Sequence, residues 1–133
     1  MINIEKAVFS AAVEAFLGEY PNGAYYNENI ETPAIFPCME LVEMDNRTYD
    51  GSLDSEMCEH HATLLYQLDV YSNLVDGAKD QCKAIVSIID TVMLGLGFVR
   101  KMCRPTRNQD TRITRITARY QGVVSEDYRI YRK

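Results

Sequence analysis

The sequence has only two histidines among its 133 residues, no Cys-x-x-Cys or His-x-x-x-His pair, and no long apolar run. A structural zinc site needs about four nitrogen or sulfur donors converging on one point, and these spacings do not supply them. The longest apolar stretch, Ala84 to Leu96, is interrupted by Ser87, Asp90 and Thr91, too short and too polar to cross a bilayer. The opening Met-Ile-Asn-Ile-Glu-Lys lacks the basic start and apolar core of a secretory signal, so folding in a reducing cytoplasm is expected. Cys38, Cys58, Cys82 and Cys103 are widely scattered, and in a domain with its own core they read as free, mostly buried thiols. Neither internal repeats nor low-complexity segments occur.

What is present is the composition of an ordinary globular protein, 47% apolar and 25% charged. The length suits one domain over residues 1–133. The net charge of −5 hides an asymmetry: residues 1–99 carry 16 acids and 4 bases, and residues 100–133 carry 3 acids and 10 bases. An acidic body with a basic final quarter favours head-to-tail contact between copies, the alternative being neutralisation within the fold.

Periodicity gives the order of elements. Ile4, Val8, Ala11, Ala12, Ala15 and Phe16 recur at helical steps, predicting a helix from Ile2 to Leu17 that stops at Gly18 and Tyr20-Pro21-Asn22-Gly23. Residues 24–33 read as a loop. Ala34 to Met44 alternates as a first strand, with Pro37 pushing it towards a sheet edge. The polar Asp45 to Ser55 segment contains Asp50-Gly51, a turn signal, and reads as a long hairpin or a mobile loop. His61 to Tyr71 is the clearest strand, with Leu64, Tyr66, Leu68 and Val70 facing one way and Thr63, Gln67 and Asp69 the other. Ala78, Cys82, Ile85, Val86, Ile89, Val92, Met93 and Leu96 mark a second helix, with Asp76 as N-cap, Asp80 in its first turn, and Gly95 and Gly97 at its end. Phe98 to Cys103, a polar turn over 104–110 and Thr111 to Tyr120 form a hairpin, and Tyr128, Ile130 and Tyr131 allow a closing strand. The expected fold class is α+β: a mixed or mainly antiparallel sheet of four to five strands packed by two helices, in the order α-β-β-α-β-β with an optional further β.

The chemistry-bearing residues form no recognisable catalytic set. Cys58-Glu59-His60-His61 gathers metal-type ligands, but on an extended segment the two imidazoles point to opposite faces. A cysteine nucleophile would need an adjacent base, and no spacing specifies one. Gly95-Leu96-Gly97 follows a helix, whereas a phosphate loop follows a strand and opens one, so helix termination explains it. No cofactor is expected. Arg115, Thr117 and Arg119 share one face of the last long strand, with Arg107 and Arg112 nearby; a neighbouring subunit's acidic patch, solvent and DNA are the candidate partners of this cationic face, in that order.

Tyr66-Gln67-Leu68-Asp69-Val70-Tyr71-Ser72 leading into the second helix, Gly97-Phe98-Val99-Arg100 after it, and Arg115 to Gly122 followed by Tyr128-Arg129-Ile130-Tyr131 resemble the tail terminator proteins of tailed bacteriophages. The likeness covers roughly the second half of the chain. It implies a non-enzymatic structural subunit of the virion, assembled in the host cytoplasm. Copies would form a ring, usually hexameric, that caps the tail tube, ends its polymerisation and meets a neck or head-completion protein, with passing contact to DNA in the channel and none to membrane. Tyr49 and Asp50 in the polar segment, with Arg107, Arg112, Arg115 and Arg119, are the expected interface residues. Another neck or head-to-tail joining protein, and a small cytosolic α+β enzyme using His60, His61 and a thiol, are the alternatives.

Overall fold

The structure, a computed structural model, describes residues 3–28, 33–48, 61–107, 111–125 and 130–131. Its elements are α1 (Glu5–Glu19), β1 (Ala24–Tyr26), β2 (Cys38–Thr48), β3 (His61–Ser72), α2 (Ala78–Leu96), β4 (Val99–Thr106), β5 (Thr114–Ser125) and β6 (Ile130–Tyr131). The strands lie in the order β1-β2-β3-β5-β4, with β6 paired to β5. All pairings are antiparallel except β1 with β2, so the sheet is mixed, as expected for this α+β fold. No described helix is long and apolar enough to cross a membrane.

Both helices cover the same face of the sheet. Val8, Ala12 and Phe16 of α1 and Cys82, Ile85, Val86, Ile89 and Met93 of α2 repeat at helical spacing and are buried. They meet Met39, Leu41, Leu64, Tyr66, Leu68, Val70, Ile116, Ala118 and Tyr120, the inward positions of three neighbouring strands, in the main core. Each large side chain buried there contributes about 1.5–3 kcal/mol. A smaller cluster on the opposite face joins Cys38, Tyr71 and Ile113 to Ala24, Tyr26 and Phe36.

Several boundaries differ from the periodicity. α1 continues through Gly18 to Glu19 because Tyr20, its C-cap, stacks on Phe16 at 5.7 Å and gives its N–H to the Phe16 carbonyl, which offsets the cost of a helical glycine. Asp76 does not cap α2. The N-cap is Gly77, with no side-chain cap, and Asp80 alone puts an acid in the first turn. Gly95 lies inside α2; the helix ends at Gly97, whose φ of 103° only glycine adopts without strain and whose N–H meets the carbonyls of Met93 and Leu94.

The residues read as a loop after Pro21 contain β1, which runs parallel to Cys38–Glu40 and gives Ala24 and Tyr26 to the smaller cluster. Three residues are too few to show an alternation. β2 starts at Cys38, after Pro37, whose carbonyl accepts the Ala24 N–H. β4 passes through Pro105 to Thr106 because it is an edge strand and needs no outward N–H. β5 extends to Ser125, since Gly122 leaves room for the Phe98 ring that an added Cβ would approach to 2.7 Å. The proposed Asp50-Gly51 turn lies outside the described residues.

Candidate functional site

β3 is the central strand, paired over its length with β5 and almost as fully with β2. Its helix-free side presents Gln67, Asp69 and Tyr71, directly opposite Arg119, Thr117 and Arg115 of β5. Asp69 is only 1% exposed, a burial a carboxylate tolerates when it is paired and hydrogen-bonded. Arg115 Nε donates to Asp69 Oδ1 at 2.9 Å, the Thr117 hydroxyl donates to the same oxygen, and Gln67 Nε2 donates to Oδ2 at 3.0 Å. Thr106 of β4 donates to the Thr117 hydroxyl at 2.6 Å, and Arg119 Nε donates to Gln67 Oε1 at 2.9 Å. One polar ladder therefore ties three strands together.

The Arg115 guanidinium also lies 5.3 Å from the centre of the Tyr71 ring. Burial works against its charge, but the hydrogen bond and field of Asp69, with the fields of Tyr71 and Glu40, outweigh it and raise the pKa. Tyr71 is pushed upward too, chiefly by burial. Arg115 is thus committed within the chain. Arg119 and Arg104 are exposed on this face, and Arg107 is exposed just past β4.

Arg112 goes elsewhere. It lines a groove of about 840 Å³ at one corner of the molecule, together with Phe36, Leu74, Val75, Lys79 and Ile113. Leu74 is 45% and Val75 107% exposed there, on the link between β3 and α2. The groove and the ladder are the two features that sequence reasoning missed. Gln67 and Asp69 were legible as the polar side of β3, but their partners depend on strand register; Leu74 and Val75 carried no periodic signal.

Charge is sorted across the sheet. α1 carries Glu5, Glu14 and Glu19 against Lys6, and β2 carries Glu40, Glu43 and Asp45 against Arg47. The opposite side holds Arg100, Lys101 and Arg104 of β4 and Arg115 and Arg119 of β5, with no acid in either strand. On the acidic side, Tyr66 donates to Glu43 Oε1 at 3.1 Å, yet the Glu43 carboxyl is pushed above its usual range, first by burial and further by Glu5.

The thiols fall into two kinds. Cys38 and Cys82 are buried and pushed up to about 12, Cys82 by burial alone and Cys38 by burial with some help from Glu40. Cys103 is exposed. Cys58, Glu59 and His60 lie outside the described residues, as do Tyr49 and Asp50. Among the described residues, no three His, Cys, Asp or Glu side chains are placed to hold a metal. In comparison with known proteins, the chain matches no family model and has no significant similarity to a curated protein.

Proposed function

We propose that this chain is a non-enzymatic assembly subunit, a phage tail terminator whose copies join head to tail in a ring, usually hexameric in such proteins, on the end of the tail tube. The observation that carries this reading is the sorting of charge to opposite sides of one sheet. In an edge-to-edge two-fold contact each side would meet its own sign, whereas a surface of one sign on the β2 side and of the other on the β4 side matches the next copy in a repeated heterologous contact. Such contacts close into a ring when the rotation per subunit divides the circle. The tube protein and a neck or head-completion protein would then meet the ring's two rims, in the virion. The resemblance of residues 66–72, 97–100, 115–122 and 128–131 to tail terminators supports the same reading.

The cationic contribution falls to Arg104 and Arg119, because Arg115 is held by Asp69. Multi-angle light scattering on the purified protein, alone and with tube protein, should show a discrete oligomer that weakens with added salt. Arg104→Glu with Arg119→Glu should shift it towards monomer while leaving the far-UV spectrum unchanged. A wild-type chain that stays monomeric in both conditions refutes the ring.

A further inference from the structure

The outer strand edges are poorly suited to extending the sheet into a neighbour. β4 carries Lys101, Pro105 and a register break between Arg100 and Met102, all features that block edge-to-edge pairing. β2 breaks register between Glu43 and Asp45. A ring contact between these sides must therefore be made by side chains. Bulges re-aim side chains, and the residue skipped in β2 is Met44, 45% exposed and flanked by the two acids.

We infer that the corner groove formed by Phe36, Leu74, Val75, Lys79, Arg112 and Ile113 is a socket for a second copy of this chain, which seats Met44 of its β2 bulge there with Asp45 beside Lys79. This rests on the ring reading and adds a second contact, at the strand-end corner, to the pairing of the β2 and β4 sides. Three observations specify the occupant. The groove joins apolar walls to an exposed ammonium, so it suits an apolar knob beside a carboxylate. Met44 supplies such a knob, and an unbranched thioether adapts to an irregular pocket. The chain cannot fill its own socket: β2 begins beside Tyr71 at the groove's end of the sheet, and Met44 lies six residues further along, roughly 20 Å away in a rigid strand.

Electrostatics on the donor side point the same way. Glu43 turns to Tyr66 on the helix-covered face, so Asp45 is the acid beside the knob that a neighbour's Lys79 would offset. Asp45 meets Arg47 at 2.9 Å, but both side chains are largely exposed and free to rearrange.

The test uses two full-length variants that leave the core untouched, Val75→Asp in the socket and Met44→Lys on the knob. Each alone should lose the wild-type oligomer, with association weakened about tenfold or more. Mixed in equal amounts, they should give a two-chain species in sedimentation velocity, because one variant keeps a good socket and the other a good knob. If wild type assembles and either single variant assembles equally well, the socket is wrong and the ring uses another surface. If both variants dissociate but their mixture yields no two-chain species, the knob and socket do not meet. A wild-type protein that is monomeric with and without tube protein overturns both the socket and the ring.

Discussion

Replacing Asp69 with asparagine tests whether the helix-free face is held by charge. The carboxylate is almost fully buried and accepts from Arg115, Thr117 and Gln67. Asparagine keeps one acceptor oxygen but turns an amide towards the Gln67 amide. Relief requires Gln67 to flip, which removes the oxygen that Arg119 uses. Breaking a buried ion pair by losing one partner costs roughly 3–5 kcal/mol, mostly from the stranded charge. The Arg115 side chain is 26% exposed and can recover some hydration, so the cost falls to the bottom of that range or just below it, about 2–3 kcal/mol. With a urea slope of about 1–3 kcal/mol/M, the midpoint should fall by roughly 1 M.

The companion variant separates charge from shape. Asp69→Leu with Arg115→Leu removes both ions and leaves apolar groups beside Tyr71, an exchange that is often neutral. It should recover most of the loss, though the Thr117 hydroxyl keeps only its bond from Thr106. Urea unfolding of wild type, both single variants and the double gives the coupling energy. A loss below about 0.5 kcal/mol for Asp69→Asn, or a double variant as unstable as the two singles added, would refute the claim that this pair orders the face.

Three further outcomes follow from the packing. Glu43→Gln should stabilise the fold at neutral pH, because a carboxyl whose folded pKa is raised costs stability that grows as pH rises above its unfolded value and is complete above the folded one; the gain should vanish below about pH 4, and a pH-independent gain in thermal melts contradicts this. Mild alkylation with peptide mapping should label Cys103 and spare Cys38 and Cys82 until urea unfolds the chain; native labelling of either buried thiol contradicts the burial that raises their pKa values. Gly122→Ala should lower stability by about 1–3 kcal/mol by forcing the Phe98 ring off Tyr66, whereas Gly95→Ala, which meets nothing on the outer side of α2, should raise it by about 0.5–1 kcal/mol; equal melting temperatures for the two would refute both.

The sequence made some of this legible and hid the rest for definite reasons. The faces of β3 and β5 and the stripe of α2 were readable because burial imposes periods of two and 3.6 on side chains. Asp76 resembled a cap, but capping depends on backbone geometry, and Gly77 took the position with a φ of 79°. β1 was invisible because its order comes from packing against Phe36 and Tyr71 and not from local pattern. Asp69 and Arg115 are 46 positions apart, and only the β3–β5 register makes them partners. The charge imbalance was plain in the sequence; that it falls on opposite sides of one sheet required the strand order.

The blunted edges and the sorted charges have a joint consequence for assembly. A six-stranded sheet with open edges risks indiscriminate backbone pairing, which is not selective for a partner and is hard to reverse. Lysine, proline and register breaks suppress that route here, leaving association to side chains whose attraction depends on charge. Such contacts form quickly, are weak singly, and gain strength when several act together in a closed ring. On the proposed reading, a subunit built this way would stay dispersed at low concentration and assemble where a template holds several copies near each other. Under the proposed function, the end of a tail tube, presenting repeated identical sites, would be a template of that kind.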